Sequence, residues 1–118
     1  MMEMSIKNFN VHKLFLKALS NETRLLVLES LRNRPKYVNE ISQDLGFEQS
    51  RVSHSLKCLC NCGFVEVKRK GKKRIYSLNK ETIIPLFDTI DKHIVAYGQR
   101  LVACETLADV KTRAISEV

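Results

Sequence analysis

No stretch of this 118-residue chain approaches the roughly 20 consecutive apolar residues needed to cross a bilayer. The opening residues MMEMSIKNFN lack the apolar core of a secretion signal, so the chain is expected to stay in the cytoplasm. With 2 prolines and 4 glycines, there is no Pro/Gly-rich linker, and neither a repeat nor a low-complexity segment is visible. No Ser/His/Asp set, glycine-rich phosphate loop or paired-carboxylate framework stands out, which makes an enzyme the weakest functional class. Acidic residues are also scarce, 13 against 20 Lys and Arg, leaving a formal charge of +7 and a pI near 9.4. That balance favours a polyanionic partner, of which nucleic acid is the commonest. A cytoplasmic setting makes the 4 cysteines reduced thiols rather than a disulfide frame.

What is present bounds one small domain, 44% apolar. Its organising stretch is EQSRVSHSLKCLCNCGFV, residues 48–65. Val52, Leu56 and Leu59 have the three/four spacing of one buried helix face. Gly63 suits the left-handed position just past a helix end. Gln49, Ser50, Arg51, Ser53, His54, Ser55 and Lys57 put short hydrogen-bonding groups and cations near the helix start, a composition that suits the major groove of DNA. Cys58, Cys60 and Cys62 lie at the other end of the same helix.

In chain order, Asn8 to Leu19 predicts a first helix with Val11, Leu14, Phe15, Ala18 and Leu19 on one stripe. A second begins at Ser20 or Asn21, with Glu22 in its first turn. It buries Leu25, Leu28 and Leu31, and closes at Arg32, Arg34 and Pro35. Val38 to Leu45 predicts a short third helix, and Gly46 a sharp turn into the cysteine-bearing helix: a helix-turn-helix over about 38–62. Phe64–Lys68 and Arg74–Leu78 alternate like strands, so 64–78 reads as a hairpin turning at Gly71 with a basic tip. Arg69, Lys70, Lys72 and Lys73 at that tip repel one another and favour an anionic partner; the plain alternative is a solvated turn. A long helix runs from Thr82 to about Ala108, with Pro85 in its first turn and Gly98 marking a bend or a close approach of another helix. Its apolar surface exceeds what one small domain needs, which predicts a homodimer built from the first helix and the last, about 80–108. The tail after Ala108 is expected to fray. The fold class expected is mainly α with a small β-hairpin wing, a homodimeric winged helix-turn-helix occupying 1–118 as a single DNA-binding domain.

Over about Phe9 to Leu107 the sequence resembles the ArsR/SmtB family of metal-responsive repressors. Leu19-Ser20-Asn21-Glu22-Thr23-Arg24-Leu25 is similar to that family's opening signature. Val52-Ser53-His54-Ser55-Leu56-Lys57, with Leu59 and Gly63-Phe64-Val65, is similar to its recognition helix and the start of its wing. Arg74-Ile75-Tyr76-Ser77-Leu78 is similar to its second wing strand. The resemblance implies a homodimer that represses a promoter until a signal releases it. A two-fold protein predicts an inverted-repeat operator of double-stranded DNA. The reading-helix residues would contact base edges and phosphates, and the wing cations the backbone or minor groove.

For the thiols, helix geometry separates Cys58 and Cys62 by about 40° and about 6 Å along the axis, while Cys60 lies about 200° from Cys58. The first two can share an ion; a regular helix cannot close all three on one. Cys104 is the remaining thiol able to complete a soft site for Cd, Pb or As, or for Zn with a fourth ligand. Cys58 and Cys62 resemble the paired thiols of the cadmium- and lead-sensing branch, which also recruits a C-terminal cysteine; Cys60 is an addition to that pattern. Residues 38–45 contain no cysteine, so the third helix is not the expected sensor. A competing site starts at Asp91-Lys92-His93, which resembles the Asp-x-His of zinc, nickel and cobalt sensors. Cys104 then stands where those place a histidine, and Leu107 where they place another ligand, with Glu105 nearby. Plain helix surface explains Asp91 and His93 equally well. Packing explains Cys62 and Cys104 readily and three alternating cysteines poorly. Two further readings stay open: a thiol-redox repressor, and a winged-helix module binding RNA or protein without an inducer.

Overall fold

The computed structural model describes residues 6–107, with side chains from Asn8. The elements are α1 (Ile6–Ser20), α2 (Glu22–Ser30), β1 (Lys36–Tyr37), α3 (Val38–Leu45), α4 (Gln49–Asn61), β2 (Val65–Lys70), β3 (Lys73–Leu78) and α5 (Ile83–Ala103), followed by a 3-10 turn at Glu105–Leu107. The expected fraying beyond Ala108 lies outside the described residues. The chain divides into two compact units, Met1–Ile83 and Ile84–Val118.

In the first unit, local chemistry sets each boundary. The Asn21 Oδ1 accepts the Arg24 backbone N–H at 2.9 Å and starts α2. This helix ends at Ser30, earlier than Arg32, Arg34 and Pro35 suggest, with Leu31 N–H donating to Leu28 O at 3.0 Å. The two arginines turn to carboxylates instead: Arg32 to Glu29 at 3.3 Å and Arg34 to Glu40 at 2.9 Å. The Tyr37 N–H donates to the Glu40 carboxylate at 2.9 Å and starts α3. Gly46, at φ 69°, ends it as the turn of the helix-turn-helix requires. At the end of α4, Phe64 N–H donates to Leu59 O at 2.9 Å and Gly63 N–H to Cys60 O at 3.2 Å. With Gly63 at φ 81°, this is a Schellman ending.

Val27, Leu28, Leu31, Ile41, Val52, Leu56, Leu59, Phe64, Val65, Leu78 and Ile83 form the buried core. Leu25, expected inside, is 37% exposed because Val27 and Leu28 take the inward face of α2. The α1 stripe is also more open than expected. Val11 and Leu14 are exposed, while Phe15 meets the buried Phe64 with ring centroids 4.9 Å apart.

The sheet is antiparallel with order β1-β3-β2. The hairpin register, Val65↔Leu78 to Lys70↔Lys73, carries both strands to a two-residue tip. Gly71 there has φ 65°, at the loop position where a left-handed residue matches strand twist. Both strands therefore extend into the cationic run, further than side-chain alternation indicates. β1 pairs with β3 through Lys36↔Tyr76 and Tyr37↔Ile75; at two residues it is too short to show a period in sequence. Asn79 closes the unit: its N–H donates to Phe64 O at 3.0 Å and its Nδ2 to Gly63 O at 2.9 Å.

In the second unit α5 runs unbroken through Gly98, where an added Cβ would stand 3.3 Å from Ile94 Cγ2. The helix is not interrupted at Gly98. The helix stops at Ala103, short of the expected Ala108, and Cys104 sits at the step into the 3-10 turn. Val95 is 87% exposed, and Ile94, Tyr97, Leu101 and Val102 are exposed with it. Among the described residues no helix is long and apolar enough to cross a membrane.

Candidate functional site

The core stripe of α4 decides which side chains it can offer a partner. Val52, Leu56 and Leu59 are fully buried, so Gln49, Ser50, Arg51, Ser53, His54 and Lys57 fall on the exposed side. Ser55 does not join them. It sits three residues after Val52 and beside Leu56, and is 5% exposed. The three/four rule places it inward, beside that stripe.

Arg51 is exposed yet fixed. Its guanidinium stacks 3.6 Å from the Phe47 ring centre, and its Nη2 and Nε donate to Thr23 Oγ1 at 2.8 and 3.2 Å. On the wing, Arg69, Lys70, Lys72 and Lys73 are all exposed, with the Lys73 ammonium 5.5 Å from the Tyr37 ring centre. Between the start of α2 and α4 lies a groove of about 410 Å³, walled by Asn21, Thr23, Arg24, Ser50, Arg51, His54, Ser55 and Cys58. Thr23 and Arg24 are site residues that sequence reasoning used only as part of a family signature. Nothing in the local pattern places α2 opposite α4.

The thiols sort as helix geometry requires. Cys58 and Cys60 are half-buried, Cys62 is exposed, and none is in a disulfide. The last turn stays wound, with Cys62 N–H donating to Cys58 O at 3.0 Å, so Cys62 remains over Cys58. Desolvation pushes the Cys62 thiol up; the Cys58 sulfur adds to the rise as a neighbouring charge and hydrogen-bond partner, and Arg24 pulls the other way. Burial alone raises the Cys60 thiol, which is apart from this pair. Two thiols one helical turn apart are soft donors, of the kind that thiophilic ions accept. Among the described residues no three His, Cys, Asp or Glu side chains gather into a metal-holding group, so the donor set fits such an ion in part.

Within the second unit, His93 and Cys104 line one hollow of about 350 Å³ with Tyr97, Arg100 and Leu101. The His93 and Tyr97 rings are 5.0 Å apart, and Arg100 lies 5.1 Å from the Tyr97 ring centre. Asp91 does not line this hollow, since two residues along a helix turn the side chain by about 200°.

A helix-turn-helix braced by a third helix and flanked by a basic hairpin defines a winged helix-turn-helix protein. Residues 21–67 match the family model described as a bacterial regulatory protein of the arsR family. The chain is 40% identical to the HTH-type transcriptional regulator NmtR of Mycobacterium tuberculosis over 66% of its own length and 65% of that protein. The solution structure of apo-NmtR superposes with a TM-score of 0.69 at 34% identity, covering 78% of this chain and 77% of that one. A "Probable mercury resistance operon repressor" of Streptomyces lividans is 36% identical over 61% of this chain and 58% of that protein. The homodimeric winged helix-turn-helix DNA-binding domain Mb0332 from Mycobacterium bovis is 25% identical, with a TM-score of 0.67 over 89% of this chain and 97% of that one. The chain belongs to the ArsR family of regulatory proteins, a family of DNA-binding regulators rather than enzymes. It spans less than two thirds of the length of the curated relatives it matches, 65% of the NmtR regulator and 58% of the mercury repressor.

Proposed function

We propose that the chain acts as a homodimeric transcriptional repressor in the cytoplasm. In this reading all 118 residues form one DNA-binding module that dimerises through α1 and α5 and holds an inverted-repeat operator through α4 and the wing. One observation carries it: Cys58 belongs both to the thiol pair with Cys62 and to the wall of the groove that Ser50, Arg51 and His54 share. An event at the sulfurs is thereby felt where DNA would lie. Gln49, Ser53 and His54 face base edges, while Ser50, Arg51 and Lys57 and the wing residues Arg69, Lys70, Lys72 and Lys73 supply contacts to the backbone.

The signal is a soft ion of the Cd, Pb, As or Zn kind, held by Cys58, Cys62 and Cys104; it supplies a Lewis-acid centre for deprotonated sulfur. The mercury-related name of one relative supports this chemistry. Loaded protein must hold DNA less tightly than free protein, since only such a difference shifts the equilibrium. The test is a titration of reduced protein with Cd(II), followed by thiolate charge-transfer absorption and by operator binding together. Absorption rising as DNA is released is expected, with both effects abolished in Cys58→Ser and both kept in Cys60→Ser. Equal DNA affinity in saturating Cd(II) refutes the switch.

The contact between Cys58 and Cys62, with no third ligand gathered among the described residues, favours a second reading. Two thiols and one peroxide molecule give a disulfide and two waters. The Cys58 thiolate takes an oxygen from the peroxide, and Cys62 then displaces water from the sulfenic acid. In a helix, residues four apart have Cβ atoms about 5–6 Å apart, against the about 3.5–4.5 Å of a disulfide, so the last turn would have to open at Gly63. Peroxide releasing DNA in the presence of chelator, with a mass loss of two hydrogens, selects this reading over the metal.

A further inference from the structure

The walls of the groove between α2 and α4 carry cations and hydroxyls. Arg24, Arg51 and His54 are on its walls beside the hydroxyls of Thr23 and Ser50, and no carboxylate lines it. Both guanidiniums are fastened by the protein itself. Arg24 donates from Nε to Ala18 O at 2.9 Å and from Nη2 to Lys17 O at 3.5 Å, at the carbonyl end of α1. Arg51 is held by Thr23 Oγ1 and the face of Phe47. A guanidinium has five N–H donors. In both arginines the bonds formed involve Nε and Nη2, leaving Nη1 for a ligand. Arginines held in place before a ligand arrives lose less side-chain freedom when it binds. Phosphate oxygens suit such paired forks.

We propose that this groove seats a backbone phosphate of duplex DNA, clamped between Arg24 of α2 and Arg51 of α4. The proposal rests on the DNA-binding reading above and extends it. Arg24, outside the helix-turn-helix, becomes a DNA contact. Arg51, already assigned to the backbone, becomes the other half of one phosphate clamp. The duplex is favoured over a small free anion because the groove opens beside the exposed Ser50, Arg51 and His54 of the reading helix, where a continuous backbone can pass.

The test measures binding of the full chain to a labelled random-sequence duplex over a range of salt. Arg24→Gln is expected to weaken binding and to reduce the slope of log K against log salt by about 0.9 for each phosphate that is no longer neutralised. Because Arg24→Gln also gives up the bonds to α1, Thr23→Glu is measured beside it. A carboxylate in the first turn of α2 favours that helix, and it neutralises Arg51 from the opposite wall. At least tenfold weaker binding with a smaller slope is expected from it as well. An unchanged slope in a folded Arg24→Gln, or wild-type affinity in Thr23→Glu, overturns the clamp. Displacement of duplex by inorganic phosphate beyond the effect of chloride at equal ionic strength, if abolished in Arg24→Gln, assigns the groove to a free anion and overturns the DNA assignment. Wild-type protein that holds no duplex even at low salt overturns the DNA-binding reading and this seat together.

Discussion

The Arg51 guanidinium lies 3.6 Å from the centre of the Phe47 ring, so the turn before α4 aims a cation that α4 carries. Phe47→Leu keeps the apolar bulk and removes the π face. A cation–π contact at an exposed site contributes about 0.5–1 kcal/mol to the fold, so a drop in Tm of a few degrees is expected, and an Arg51 that must be reordered on binding weakens duplex binding by up to about two- to fivefold. Fluorescence anisotropy at fixed salt checks this; an unchanged Kd means Thr23 alone positions Arg51.

Lys36 is a buried cation, 6% exposed, whose ammonium donates to Asp44 Oδ2 at 2.6 Å and to Ser30 Oγ at 3.4 Å. Removing either partner has unequal consequences. Asp44→Ala leaves the ammonium with the serine alone and is expected to cost about 1–3 kcal/mol. Lys36→Met replaces the charge by apolar volume and is expected to be near neutral. Urea unfolding of both variants decides it. Equal losses would mean the pair acts through packing alone.

Gly63 is a cleaner backbone test than most glycines. Its φ of 81° is left-handed, and an added Cβ would meet nothing within 4 Å. Gly63→Ala therefore costs conformational strain and no clash, about 1–2 kcal/mol, or a drop in Tm of about 4–8 °C for each kcal/mol. Thermal melting reads the shift. No shift would mean that the end of α4 relaxes freely, as closing a Cys58–Cys62 disulfide requires.

The Arg34 hydrogen bond, and then the Tyr37 N–H, hold the Glu40 carboxyl below the usual carboxylate range. A group with a depressed folded pKa adds stability above its unfolded value, about 4.3 for Glu, and loses it as pH falls through the folded one. The melting temperature of wild type should thus fall more steeply than that of Glu40→Gln as pH drops below about 4.3. Parallel curves would show that Glu40 is not among the groups causing acid lability.

The start of α2 at Asn21, α3 at residues 38–45, the Gly63 ending and the hairpin turn at Gly71 were all legible in the chain, because caps, glycines and periodicity act over a few neighbours. The inward position of Ser55 was legible too, from the same three/four spacing that placed Leu56. The length of the wing strands was not, because cations are poor strand markers and the cross-strand ladder carries them.

By itself the order of residues determined a winged helix-turn-helix with a basic wing and a thiol pair one helical turn apart. Tertiary structure decided that Thr23 holds Arg51, that Arg24 stands near Cys62, and that Lys36 finds Asp44. Each of those relations joins different elements, and its geometry depends on how buried leucines, valines and isoleucines pack those elements together, which no local spacing encodes.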